Sequence, residues 1–340
     1  MQVQIRENYS LKRHNTFGIA AAARYFAAFH TVEELTALLR NPLLHQELPV
    51  LIVGGGSNLL LTKDFDGIVL KNEIEGIRVS GEDEHHIFIT AGGGVNWHHL
   101  VQYCVAHNYG GLENLSLIPG SVGAAPMQNI GAYGVEIKDV FHSLKACRIA
   151  DGSIEDFGLE DCHFGYRESI FKLRLKGKYI ITEVTFRLSK NPVFNTSYGA
   201  IQNELLKMGV SNLSIAAISQ AVINIRTSKL PDWKKLGNAG SFFKNPQVSK
   251  AFYQQLKQSF PEVVGFEQEE SVKLAAGWLI EQCGWKGARR GDAGCYDKQA
   301  LVLVNYGNAT GAEIFNLSEE ILVSVYEKFG VRLEREVNIY

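Results

Sequence analysis

No stretch of the 340-residue chain approaches the roughly 20 apolar residues of a membrane helix. The most apolar early run, from Pro49 to Leu61, is broken by Gly54, Gly55, Gly56, Ser57 and Asn58. An excess of one charge is missing too. The 34 basic and 36 acidic residues leave a formal net charge of -2, so there is no overall basic field to gather nucleic acid. The opening MQVQIRENYSLKR is polar where a secretory signal needs an apolar core, and a cytoplasmic protein is expected. Cysteine is scarce and unpaired in pattern. Cys104, Cys147, Cys162, Cys283 and Cys295 form no CxxC and are odd in number, which points to free buried thiols rather than zinc or disulfides. His85-His86 and His98-His99 have no HExxH pattern and no carboxylate partner, and adjacent side chains point to different sides of an element. No metal site is expected. Repeats and low-complexity segments are also lacking.

What is present suits a folded enzyme. Hydrophobic residues make up 46%, enough for a sizeable core and too many for a disordered chain. The length allows two or three domains. Spacing predicts a helix over Val32–Leu39, a strand from Pro49 to Val53 that ends in glycine, and a turn at Asp66-Gly67 before a strand at Ile68-Val69-Leu70. A strand at His86–Thr90 and a helix over Asn96–His107 follow, the latter stopping at Tyr109-Gly110-Gly111. Gly110 to Gly134 then has six glycines and two prolines without the polarity of a disordered linker, and reads as a long ordered loop, commonly a functional one. Strands return at Ser143–Ile149 and Tyr179–Leu188, with a connection at Lys190–Ala200. Beyond it the pattern predicts a helix around Ile215–Arg226, a glycine-rich turn at Gly237–Gly240 and an amphipathic helix over Ser271–Cys283. A last helix ends near Gly330 before an alternating strand, Val331 to Ile339.

Three glycine-rich elements lie within one hundred residues. Gly54-Gly55-Gly56-Ser57-Asn58 follows a strand, where residues without Cβ let backbone N–H groups approach an anion. A Rossmann fingerprint would need glycine at Leu59, and no GxxxxGK[ST] occurs. Gly92-Gly93-Gly94 follows another strand. Pro119-Gly120-Ser121-Val122-Gly123-Ala124-Ala125-Pro126 continues through Gln128-Asn129-Ile130-Gly131-Ala132-Tyr133-Gly134, where small residues let the backbone lie flat on a large ligand. Together they favour a cofactor site over three unrelated turns.

The blocks GGGSNLLL, GLENLSLIPGSVGAAPMQNIGAYG, FGYRESIFK, GNAGSFFKNP and LEREV, spread from about Asn15 to Glu336, resemble the UDP-N-acetylenolpyruvoylglucosamine reductase (MurB) family. The resemblance implies an α+β fold: a two-part FAD-binding region of the vanillyl-alcohol-oxidase (PCMH) type and a C-terminal α+β substrate-binding domain. The implied boundaries are 1–70, 71–190 and 191–340, with the last strand able to pack back on the FAD region. It further implies NADPH-dependent reduction of UDP-N-acetylglucosamine enolpyruvate to UDP-N-acetylmuramate through non-covalent FAD. A bacterial, cytoplasmic, monomeric enzyme of peptidoglycan precursor synthesis is expected, without nucleic-acid or membrane partners.

On matching positions, FAD would be held by Gly54, Gly55, Gly56, Ser57, Asn58, Leu59, Ile118, Pro119, Gly120, Ser121, Gly123, Ala124, Gln128, Asn129, Gly131, Ala132, Tyr133, Tyr166, Arg167 and Ile181. Tyr198 as a lid, with Arg226, Lys229, Ser241, Asn245 and Lys273, would hold the nucleotide sugar. Hydride addition beside a carboxylate builds enolate charge and demands a proton for the adjacent carbon. The resemblance gives the first task to Arg167, the proton to Ser241 and a catalytic role to Glu336, residues that read alone as an ion-pair arginine, a turn serine and a solvated strand face. Two departures stand out: Arg335 where many relatives have proline, and Tyr296 where they often have histidine. A flavin oxidase of the same fold is the first rival, but Gly54–Leu61 offers no histidine or cysteine for covalent FAD. A non-catalytic binding module is the second, and it would not need Arg167, Ser241 and Glu336 together.

Overall fold

The computed structural model describes residues 3–340. They form two compact units. The first holds residues 3–9, Ala23–Gly56 and Asp66–Ser228, and the second Ser10–Ala22, Ser57–Phe65 and Lys229–Tyr340.

In the first unit, the helix Val32–Leu39 starts where the Thr31 side chain accepts from the Glu34 N–H at 3.1 Å, and it buries Leu35, Leu38 and Leu39. These pack with Phe29, Ile68 and Leu70 beside a four-stranded sheet ordered Arg6–Ser10, Ala22–Phe29, Phe65–Asn72, Val50–Val53. Asp66-Gly67, expected as a turn, lies inside the third of these strands. Strands on both sides supply its ladder, and that pairing outweighs the local preference of the dipeptide.

A five-stranded antiparallel sheet follows, ordered Ile154–Gly158, Phe141–Arg148, Tyr179–Ser189, His86–Gly92, Ile77–Glu82. The helix Trp97–Ala106, capped by Asn96, presses Trp97, Leu100, Val101 and Cys104 into its core, where the Trp97 ring meets Phe186 edge-on at 5.8 Å. Residues 110–134 carry short 3-10 turns and the first strand of a hairpin, Gly131–Ala132 with Val135–Glu136. The helices Gly199–Lys207 and Ile215–Lys229 share a separate cluster of Ile201, Leu205, Ile218 and Val222.

The second unit contains an antiparallel sheet ordered Gly237–Ser241, Val302–Asn305, Ala293–Cys295, Arg289–Arg290, and a smaller one ordered Gln247–Ser249, Ser271–Leu274, Gly265–Glu267. Its longest helix, Gly311–Phe329, opens with a Thr310/Glu313 capping box and ends on Gly330 at φ 66°. Gly237–Gly240 is therefore strand, not turn. The helix expected over Ser271–Cys283 divides into that strand and a helix, Ala276–Gln282. Val272 and Leu274 are buried while Ser271 and Lys273 are half-buried, a period of two that fits pairing on both edges. The closing segment keeps its alternation, with Val331, Leu333 and Val337 buried, yet its only regular strand is Asn338–Ile339, parallel to Leu59–Leu60. Arg335 meets Phe243 through an isolated bridge.

Candidate active site

The glycine runs of the first unit converge. The strand Val50–Val53 delivers Gly54, whose carbonyl accepts from Lys71 Nζ at 2.7 Å; burial pulls the pKa of that lysine down, against the opposing effect of Glu73 and Glu75. A Cβ on Gly55 would stand 2.7 Å from Gly120 Cα, and one on Gly54 would overlap Ser121 Oγ. Gly123 N–H donates to Gly93 O at 2.9 Å, while Gly93 N–H donates to Thr182 O at 2.7 Å. A Cβ on Gly123 would lie 3.0 Å from the carbonyls of Gly93 and Ile181, so these backbones touch with no room for a side chain. Ser121 Oγ is buried without a hydrogen-bond partner among the described residues. An orphaned hydroxyl among side-chain-free backbone is a place where a ligand's polar atom is needed. The residues present therefore fit FAD.

Next to this loop lies a cationic corner. Asn129, at φ 43°, donates to Glu136 Oε2 and to Gly165 O, both at 3.0 Å, tying the 131–136 hairpin to the turn that carries Tyr166 and Arg167. Arg167, itself at φ 57°, donates to Gly131 O at 2.7 Å, and its guanidinium lies 5.4 Å from the Tyr166 ring centre. Arg226, from the helix Ile215–Lys229, donates through Nε to Leu117 O at 3.3 Å, with the Tyr133 phenol in its electrostatic neighbourhood. Burial pushes the Arg226 pKa down, and the charge of Arg167 adds to that effect. Burial likewise raises the Tyr133 phenol. A buried guanidinium with a second positive charge in its surroundings suits a bound carboxylate or phosphate. Tyr198, 46% exposed at the start of Gly199–Lys207, stacks edge-on against Tyr133 at 5.4 Å.

Among the other expected residues of this unit, Ile118 and Ala132 pack on the main core, and Ile181 is buried with its carbonyl accepting from Asn72 at 2.9 Å. Pro119 lies beside Gly120, Ala124 closes one 3-10 turn and Gln128 the next, while Gly56 takes φ 65°. Sequence reasoning missed Lys71, His98 and Asn114. Asn114 is 1% exposed and donates to Tyr133 O at 3.1 Å and to Asn195 O at 2.9 Å, contacts that no local pattern announces.

In the second unit, Ser57, Asn58 and Leu59 lead into the parallel pair with Asn338–Ile339. Asn58 Nδ2 donates to Glu336 O at 3.3 Å, and Asn338 Nδ2 returns a bond to Asn58 O at 3.0 Å. Glu336 N–H donates to Phe242 O at 2.8 Å, so backbone bonds gather Asn58, Glu336 and the neighbour of Ser241. Ser241 is exposed at the end of its strand, after Gly240 at φ 70°. Lys244 pairs with Glu334 at 3.1 Å, and Arg335 is held by Ser318 at 2.9 Å and by Glu319. Asn245 Oδ1 accepts from Ala276 N–H at 3.0 Å, a structural task at the start of a helix. Lys273 stands on a strand opposite Gln247 and Phe266, and Lys229 is exposed at the last position of its helix.

No group of three His, Cys, Asp or Glu side chains among the described residues is placed to hold a metal. Burial pushes the thiols of Cys104, Cys162 and Cys295 up to about 12, which makes them packing groups rather than nucleophiles.

The chain is similar to known proteins over its whole length. Residues 232–340 match the UDP-N-acetylenolpyruvoylglucosamine reductase C-terminal domain family, and residues 23–158 match an FAD binding domain family. The chain is 53% identical over 338 residues to a UDP-N-acetylenolpyruvoylglucosamine reductase of Amoebophilus asiaticus, covering 99% of each chain. It is 50% identical over 341 residues to the one from Pseudomonas putida, covering 100% of both. The crystal structure of the Thermus caldophilus reductase superposes with a TM-score of 0.69 at 25% identity, over 100% of this chain and 99% of that one. With two curated relatives matched end to end, the chain belongs to the UDP-N-acetylenolpyruvoylglucosamine reductase family of FAD-dependent oxidoreductases.

Proposed function

We propose that Arg167, Ser241 and Glu336 carry the chemistry of this family in the present chain, and that Tyr198, Arg226, Lys229, Asn245 and Lys273 hold its nucleotide sugar. The reaction is reduction of UDP-N-acetylglucosamine enolpyruvate to UDP-N-acetylmuramate with NADPH, a step of peptidoglycan precursor synthesis. When bound, FAD supplies to the enolpyruvyl double bond the hydride that NADPH provides. Gly54, Gly55, Gly56, Gly120, Ser121 and Gly123 would hold the cofactor's polar linkage, with Ser121 Oγ completing its hydrogen bonding there.

The observation that carries the reading is the pair of guanidinium groups beside the flavin loop. Negative charge grows on the substrate carboxylate as hydride arrives, and Arg167 with Arg226 presents fixed positive charge and planar donors to it. Leu117 O holds Arg226 and Gly131 O holds Arg167, which keeps the donors in place before the reaction begins. Ser241 Oγ gives its proton to the adjacent carbon, and the Glu336 carboxylate supports that transfer. Tyr198 closes over the nucleotide sugar from its place against Tyr133.

The chain is further read as a flavin-binding part over 1–70, a second over 71–190 and a substrate-binding part over 191–340. It works as a cytoplasmic monomer without nucleic-acid partners. The domain matches over 23–158 and 232–340 support the order of these parts, and no described helix is long and apolar enough to cross a membrane.

An anaerobic assay with NADPH and UDP-N-acetylglucosamine enolpyruvate tests the reading. Flavin absorbance should fall with NADPH and recover when the enolpyruvyl sugar is added. Recovery with oxygen alone would instead identify an oxidase.

A further inference from the structure

We propose that His98 is a positioning residue for the flavin loop: its Nδ1 holds the backbone N–H of Leu117 and so fixes the left-handed turn from which residues 118–124 depart. The inference rests on the assignment of that loop to FAD made above. Leu117 stands at φ 59°, a left-handed conformation that is strained for a residue with a Cβ and persists only where surrounding bonds impose it. Those bonds come from both sides. Leu117 N–H donates to His98 Nδ1 at 2.9 Å, and Leu117 O accepts from Arg226 Nε at 3.3 Å.

The preceding residue, Trp97, holds the flanks of the same segment. Its indole N–H donates to Leu115 O at 2.9 Å and its backbone N–H to Gly120 O at 3.1 Å. Two consecutive residues at the start of Trp97–Ala106 thus grip positions 115, 117 and 120, and Gly120 is the residue against which Gly55 packs. The bond also specifies the imidazole. Nδ1 accepts only when it carries no proton, so His98 is neutral, with its proton on Nε2. Burial and the neighbouring charge of Arg226 both favour that form.

Loss of the acceptor would let the turn relax, and FAD binding would then have to restore it, which lowers apparent affinity. The test compares wild type, His98→Leu and His98→Asn as FAD-loaded enzymes. Flavin fluorescence on serial dilution gives the FAD dissociation constant, and circular dichroism gives thermal unfolding. Leucine keeps bulk without an acceptor, whereas asparagine Oδ1 stands as many bonds from the backbone as Nδ1. His98→Leu should bind FAD about tenfold more weakly and His98→Asn within about twofold of wild type, the scale of one buried backbone donor left unpaired. Equal affinity in all three overturns the inference, as does equal loss in both variants. A lower Tm with unchanged FAD affinity also overturns it, because it would make His98 merely structural. If His98→Leu does not fold, His98→Ala takes its place beside His98→Asn, and the same outcomes decide. Wild type that takes up no FAD would overturn the reading of the glycine loops themselves, whereas FAD-replete wild type with indifferent variants overturns only the role of His98.

Discussion

Gly55→Ala puts the glycine cradle to a direct test. The added Cβ would sit 2.7 Å from Gly120 Cα and 3.0 Å from its carbonyl carbon, both backbone atoms that cannot rotate away. Carbon atoms pack at about 3.5–4.0 Å, so Gly120 and Ser121 must retreat by roughly 1 Å. Overpacking of this kind costs about 1–3 kcal/mol. Without cofactor the loop can absorb part of the shift, whereas bound FAD needs the original backbone. The penalty therefore falls mainly on binding, where 1.4 kcal/mol is a factor of about ten, giving FAD affinity about 5–150-fold weaker. Titration of the FAD-free protein by flavin fluorescence quenching measures this, with thermal unfolding as the control for general damage. Gly81→Ala, where the new Cβ meets only the Phe88 ring at 3.8 Å, should leave FAD affinity unchanged. If Gly55→Ala binds FAD as tightly as wild type, the close approach of Gly55 and Gly120 is not part of the cofactor site.

Ser241→Ala should leave flavin reduction by NADPH largely intact and slow substrate reduction by about 100-fold or more, as for loss of a general acid; stopped-flow measurement that finds both half-reactions equally impaired would contradict the donor role. Asn114→Ala removes two buried donors, to Tyr133 O and Asn195 O, and so loosens the segment leading to Tyr198. The nucleotide-sugar KM should rise about tenfold with a smaller change in kcat, and a kcat defect at unchanged KM would exclude a role in substrate capture. The depressed pKa of His98 sets a pH dependence, because the folded protein keeps the neutral ring while the unfolded chain takes up a proton near 6.5. Its contribution to stability is present above that value and is lost as pH falls from there through the lower folded value. The decline of Tm below that point should therefore be shallower in His98→Asn, and identical slopes would exclude His98 as its source.

Regular elements with strong periodicity were legible in the chain. Val32–Leu39 and Trp97–Ala106 form where apolar residues recur at helical spacing behind a Thr31 or Asn96 cap. The strand before Gly54 and the strand Tyr179–Ser189 follow from runs of β-branched and apolar residues. The motif blocks also identified the family and, through it, FAD and the enolpyruvyl sugar, because blocks of that length in that order are specific to one family. Segments whose pattern fits two periods were not legible. Val272, Leu274, Ala276 and Leu279 satisfy a helix and a strand alike, and only the neighbouring strands on both edges divided them. Asp66-Gly67 and Gly237–Gly240 carry turn residues, yet their ladders come from strands far along the chain.

At the site, composition announced the glycines but could not say which of them meet. Backbone contact between Gly55 and Gly120, or between Gly93 and Gly123, depends on where two sheets place loops tens of residues apart. For the same reason His98, Asn114 and Lys71 stayed invisible. Each acts on a main-chain N–H or carbonyl rather than on a partner side chain, and every residue but proline offers both groups. Residue identity along the chain determined the family, the cofactor and the helices and strands of clear period. The left-handed turn at Leu117, the seating of Arg167 on Gly131 O and of Arg226 on Leu117 O, and the orphaned Ser121 hydroxyl were decided only by tertiary packing, because long-range bonds to the backbone leave no pattern in the sequence.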